Sequence, residues 1–108
     1  MRMYIQWWAG MKIEGFEWDE GNWPKCGKHG LEREEIEAVM REGPMVAPDR
    51  TGAAEPRLNA VGRLGERHVF VVFTLRSRAG RRYIRPISAR YMHDKEVRRY
   101  ERDQDPKG

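Results

Sequence analysis

The sequence predicts an α+β domain, an antiparallel sheet of three or four strands with helices packed on one face. Two patterns carry this expectation. Between Leu58 and Ala89 the chain alternates apolar and polar residues around one nearly continuous apolar run. Between Leu31 and Met40 apolar residues recur at helical spacing behind an acidic start. At 108 residues the chain has the length of one domain with a modest core. Charged residues make up 35%, yet four Trp, four Tyr and three Phe supply anchors against disorder.

Residues 1–10 read as an extension outside the core, with an additional strand as the competing reading, because Tyr4, Gln6 and Trp8 alternate with Ile5 and Trp7. The domain is expected over residues 11–102 and a frayed tail over 103–108. Ile13, Phe16 and Trp18 interleave with Glu14 and Glu17, which suits a short extended segment. Asp19-Glu20-Gly21-Asn22 is turn-like, and Pro24 suits a first helical turn, so a brief helix is expected from Trp23 to Lys28, stopping at Gly30. The second helix carries Ile36, Val39 and Met40 on one face. Glu32, Glu34, Glu35 and Glu37 lie early, where the helix dipole favours them, and Gly43-Pro44 ends it.

Met45 to Pro56 is rich in Pro, Asp, Gly and Ala and reads as a loop. Strands are expected at Leu58–Gly62, His68–Thr74 and Arg82–Ala89, joined by hairpins at Leu64-Gly65-Glu66 and Ser77–Gly80. Pro86 cannot donate to a ladder, so it marks an edge or a bulge. Strict alternation would put Arg82, Ile84, Ser88 and Arg90 on one face and Tyr83, Arg85 and Ile87 on the other, so Arg85 and Arg90 need not share a face unless a bulge intervenes. A last helix is expected from about His93 to Arg102.

Charge is sorted along the chain. The net charge is +4, but residues 76–102 hold ten Lys/Arg against three Asp/Glu. The remainder is therefore net acidic, and a basic segment of this kind faces a polyanion, RNA or DNA first. No apolar run approaches the roughly 18–20 residues that span a bilayer. Cys26 is alone, which excludes an intrachain disulfide, and no Cys/His spacing suggests zinc.

Several motifs occur in order: Phe16-Glu17-Trp18-Asp19-Glu20, Lys28-His29-Gly30, Glu35-Ile36-Glu37-Ala38, Arg57 with Gly62, Val72-Phe73-Thr74-Leu75-Arg76, and Ile87-Ser88-Ala89-Arg90 with Glu96 and Tyr100. This ordered set resembles the BrnT-type toxins over roughly Met11 to Arg102. The chain departs from the family pattern at Trp23-Pro24, at Glu32 and at Pro56 within Glu55-Pro56-Arg57. The resemblance implies a RelE-like sheet flanked by two N-terminal helices and one C-terminal helix. It also implies a cytoplasmic ribonuclease of a toxin–antitoxin pair, without metal or cofactor. The implied partner is a DNA-binding BrnA-like antitoxin that forms a heterotetramer with the toxin, and operator DNA is contacted only through it.

RNA carries its own nucleophile, the 2′-OH. Cutting it without a metal needs a base, cations around the pentacoordinate phosphate, and an acid for the leaving 5′-oxygen. Arginine forks match phosphate. The expected catalytic set is Lys28, His29, Arg57, Arg76, Arg85, Arg90, Glu96 and Tyr100, with Arg78 and Arg82 as further RNA contacts. Lys28, His29, Glu96 and Tyr100 are its acid–base candidates; Glu96 and Tyr100 lie four apart on one helix face. Two other readings compete: a module that grips phosphate without cutting, and a degenerate toxin that retains only antitoxin binding.

Overall fold

The computed structural model describes residues 5–6, 12–49 and 54–104. Its elements run β1 (Ile5–Gln6), β2 (Gly15–Phe16), a 3-10 turn (Lys25–Gly27), α1 (Arg33–Arg41), β3 (Met45–Pro48), β4 (Leu58–Leu64), β5 (Arg67–Arg78), β6 (Arg81–Tyr91) and α2 (Asp94–Gln104). The fold is α+β, as the sequence patterns indicate. The sheet has six strands in the order β1-β3-β4-β5-β6-β2 rather than three or four, and it is mixed, because β2 runs parallel to β6.

Three further differences have local causes. The expected Trp23–Lys28 helix is only the Lys25–Gly27 turn. Gly27 lies against the Trp23 ring, where an added Cβ would come within 2.7 Å of it, so the turn is pinned close to its own start. One N-terminal α-helix, not two, therefore flanks the sheet. The expected 45–56 loop begins as a strand: Met45–Pro48 pairs antiparallel with β4 and continues the sheet despite its weak strand composition. Its outer edge is taken by Ile5–Gln6, opposite Val46 and Met45. The other residues of the expected extension (1–4, 7–10), with Met11, residues 50–53 of the expected loop and residues 105–108 of the expected tail, lie outside the described residues.

One sheet face holds the core. Val46, Ala60, Val69, Val71, Phe73, Ile84 and Ala89 are buried there against Ile36, Val39 and Met40 of α1. Gly62 lets α1 approach β4, since a Cβ there would lie 2.6 Å from Val39 Cγ1. Glu35 caps the helix start, its Oε1 accepting the Glu32 backbone N–H at 2.9 Å. The β5–β6 connection is Ala79-Gly80, both at positive φ (52° and 79°), the geometry of a tight two-residue hairpin turn.

α2 buries no residue, and its contacts are to the other face. Glu96 pairs with Arg90, and the Tyr100 ring meets His68 edge-on at 6.1 Å. The helices are thus divided between the two sides of the sheet, not gathered on one.

The β5–β6 ladder contains the feature that matters most for function. Phe73 pairs with Pro86, but Val72 pairs with Ser88, so Ile87 is an extra residue in β6. Pro86 has no N–H to give the ladder. Its carbonyl accepts from Nδ2 of buried Asn22 at 2.9 Å. The same Nδ2 donates to the Glu17 carbonyl at 2.9 Å, and the Asp19 N–H donates back to Asn22 Oδ1 at 2.8 Å. Asn22 thereby ties the bulge to the end of β2.

Candidate active site

The bulge decides which face each arginine occupies. Before it, Ile84 and Pro86 point into the core; after it, Ala89 does. Tyr83, Arg85, Ser88 and Arg90 therefore all belong to the face opposite α1, cross-strand from Arg76, Thr74, Val72 and Phe70. Strict alternation would have divided Arg85 from Arg90. Arg57, at the mouth of β4, completes the set.

Arg57, Arg76 and Arg85 line one cavity of about 310 Å³ together with Lys25, Glu55 and Thr74. Carboxylates hold two of these arginines in place. Arg85 Nη1 donates to Glu17 Oε1 and to Asp19 Oδ2, each at 2.9 Å, and Nη2 donates to Asp19 Oδ1 at 3.0 Å. These hydrogen bonds push the Arg85 guanidinium further above its ordinary range and hold Asp19 below the usual carboxylate range. Glu17, whose side chain is 12% exposed, also pairs with Arg78 and lies 3.7 Å from Arg76 Nε. Arg76 Nη1 reaches Glu55 Oε2 at 3.2 Å. Among the described residues no carboxylate pairs with Arg57 or Lys25.

Among the described residues, two donors of the lining side chains have no hydrogen-bond partner, although Arg76 Nε lies 3.7 Å from the Glu17 carboxylate. The Thr74 hydroxyl and Arg76 Nε are both buried, and Thr74 is only 1% exposed. Buried donors are ordinarily satisfied, so this pair, beside the cations Arg57 and Lys25, has chemistry suited to an anion.

A second hollow, of about 940 Å³, opens between α2 and the same sheet face. Phe70, Arg90, His93, Glu96, Arg99 and Tyr100 line it. Arg90 grips Glu96 through two parallel bonds of 2.7 and 2.8 Å and lies over the Phe70 ring at 5.0 Å. Glu96 also accepts the His93 backbone N–H at 2.9 Å. The Arg90 hydrogen bonds bring the Glu96 carboxyl down to about 2. The cross-strand partners of Arg85 and Arg90 are Thr74 and Phe70, four residues apart, so the two hollows are about 13 Å apart along the strand.

The expected set is thus split. Arg57, Arg76 and Arg85 meet in the smaller cavity; Arg90, Glu96 and Tyr100 meet in the larger hollow. Lys28 and His29 are exposed just past the 3-10 turn and line neither. Arg78 and Arg82 are exposed at the hairpin, Arg78 pairing with Glu17. Lys25, Glu55 and Thr74 are cavity residues that sequence reasoning missed. Signals existed for Thr74, a polar residue two positions before Arg76 at the end of an apolar run, and for Glu55, the acid of Glu55-Pro56-Arg57. Cys26 is buried, and that burial pushes its thiol up to about 11, which removes it as a nucleophile. Among the described residues no three His, Cys, Asp or Glu side chains are grouped to hold a metal ion, and no helix is long and apolar enough to cross a membrane.

No curated protein matches the chain. The family model for BrnT, described as the ribonuclease toxin of a type II toxin–antitoxin system, matches residues 18–96. That span contains the bulged hairpin, the arginine cavity and the Arg90–Glu96 pair. The chain belongs to the BrnT family of ribonuclease toxins, whose members act within toxin–antitoxin pairs.

Proposed function

We propose that the protein is a metal-independent endoribonuclease that seats the scissile phosphodiester in the Arg57–Arg76–Arg85 cavity and cleaves by attack of the adjoining 2′-OH. The observation that carries this reading is the unpartnered pair of donors, Thr74 Oγ1 and Arg76 Nε, in a cavity lined by cations. A phosphate oxygen there would accept from both. Arg57 is free to follow the charge that grows on the pentacoordinate phosphate. The carboxylates of Glu17 and Asp19 fix Arg85 in advance, so little reorganisation is left for the reaction.

In this reading residues 11–102 form the toxin domain, which acts in the cytoplasm. The second hollow receives the RNA beyond the cut, with Arg99 and Lys95 outside the Arg90–Glu96 pair as phosphate contacts. A BrnA-like antitoxin neutralises the protein by covering this sheet face in a heterotetramer, and contact with operator DNA is made through the antitoxin.

The test is incubation of antitoxin-free protein with RNA in EDTA, followed by analysis of the new ends. The expected products carry 2′,3′-cyclic phosphates. Ends bearing 3′-hydroxyls would refute the mechanism. Salt-sensitive binding that leaves the RNA intact would return the protein to a module that grips without cutting.

A further inference from the structure

Resting on that nuclease reading, we infer that Glu55 is the general base of the cleavage step and Lys25 its general acid. The assignment follows from what lines the cavity. Its titratable side chains are Lys25, Glu55, Arg57, Arg76 and Arg85. A guanidinium does not give up its proton in a protein, so the arginines can hold charge but cannot relay a proton. Glu55 and Lys25 remain. The other nearby carboxylates are committed: Glu17 serves three arginines, and Asp19 is bound to Arg85 through both oxygens. Among the described residues Glu55 has a single ion pair, from Oε2 to Arg76, and its side chain is 47% exposed. Its Oε1 is left to face a substrate.

Topology puts the two groups on opposite walls. Glu55 precedes β4, whereas Lys25 belongs to the turn packed beside β6, and β5 lies between. The flanking strands, β4 and β6, are two spacings apart, about 10 Å, and Glu55 reaches in as far as Arg76 on β5. Displacement at phosphorus is in line, with the entering and leaving oxygens on opposite sides, so base and acid must flank the phosphate in this way. Glu96 and Tyr100 cannot serve the same phosphate from about 13 Å along the strand.

In the step itself, Glu55 takes the 2′-hydroxyl proton as the 2′-oxygen bonds to phosphorus. The bond from phosphorus to the 5′-oxygen breaks, and that oxygen takes a proton from the Lys25 ammonium. The products are a 2′,3′-cyclic phosphate and a 5′-hydroxyl. Glu55 ends protonated and Lys25 neutral, and exchange with water resets both.

The experiment is single-turnover cleavage, in EDTA, of an oligonucleotide with one ribonucleotide, made with either a 5′-oxygen or a 5′-sulfur leaving atom. A thiolate leaves without protonation. Glu55→Ala should slow both substrates by at least about 100-fold. Added acetate should restore part of that loss, which it would not do for a residue that merely positions Arg76. Glu55→Gln, which can still bond Arg76, should be as slow as Glu55→Ala. Lys25→Ala should slow the oxygen substrate and spare the sulfur one. Wild-type rates for Glu55→Gln, or equal losses for Lys25→Ala on both substrates, would overturn the assignment while wild-type cleavage upheld the nuclease reading. A wild-type protein that cuts neither substrate would remove both.

Discussion

Replacing Thr74 with valine should separate stability from activity. The side chain is 1% exposed, and its hydroxyl has no partner in the free protein. A buried, unsatisfied hydroxyl costs about 1–3 kcal/mol. The 310 Å³ cavity beside it is large enough to admit water, which lowers the penalty toward its minimum. Valine keeps the shape and removes the hydroxyl, so Thr74→Val should gain about 1 kcal/mol, a rise of several degrees in Tm for a chain of this size. With RNA bound, the same hydroxyl donates to a charged phosphate oxygen. Hydrogen bonds to charged groups contribute about 1.5–3 kcal/mol, so kcat/KM should fall about 10- to 150-fold. Urea denaturation and initial cleavage rates on one RNA measure the two effects. A variant that is less stable yet cleaves normally would refute the reasoning, because the hydroxyl would then be a structural group.

Three other perturbations bear on the frame around the cavity. Asn22→Ala removes the amide that ties Glu17 and the Pro86 carbonyl together and should cost roughly 3 kcal/mol in urea melts, with cleavage lost in step as the bulge relaxes. Gly62→Ala drives a methyl against Val39 at the α1–β4 contact and should destabilise by about 1–3 kcal/mol, with kcat/KM unchanged in the folded fraction. The Glu96 carboxyl sits at about 2 against an ordinary 4.5, so its contribution is present above pH 4.5 and is lost as pH falls from 4.5 toward 2. Its side chain is 35% exposed, and solvent screening leaves about 1 kcal/mol of the pair's effect. Glu96→Gln should therefore be less stable than wild type by about that amount at pH 7, and the two melting curves should converge near pH 2–3.

The main strands and α1 were legible because each buries one face, and burial writes a period into the sequence: Val69, Val71 and Phe73 in β5, and Ile36, Val39 and Met40 in α1. β3 was not legible. Its four residues, Met45 to Pro48, are framed by prolines, and it exists because β4 offers an edge. The turn at Lys25–Gly27 is shorter than its sequence suggests, since its brevity depends on the Trp23 ring lying over Gly27. Pro86 announced an irregularity, but not that Ile87 would be the extra residue or that Asn22, far away in sequence, would take up the freed carbonyl.

The site followed the same rule. Guanidinium groups of the basic segment were visible as a charge run, and of Arg57, Arg76, Arg85 and Arg90 the first three meet in one cavity. Lys28 and His29 fell outside because the short turn ends before them. Lys25 gave no signal, and Glu55 only as the acid ahead of Arg57, because each reaches the cavity from a connection whose path is set by tertiary packing. Glu17 illustrates the limit most clearly. In sequence it is one acid among several near the N-terminus, yet in the fold it is the carboxylate around which Arg76, Arg78 and Arg85 are arranged.

The most direct test is a crystal structure of the Glu55→Gln protein with a short single-stranded RNA whose scissile ribose is 2′-deoxy. The phosphate at the cut position is expected within hydrogen-bond reach of Thr74 Oγ1, Arg57 and Arg76, with the chain continuing over β5 toward Arg90. A phosphate bound instead against Arg99 and Lys95, with the arginine cavity empty, would contradict it.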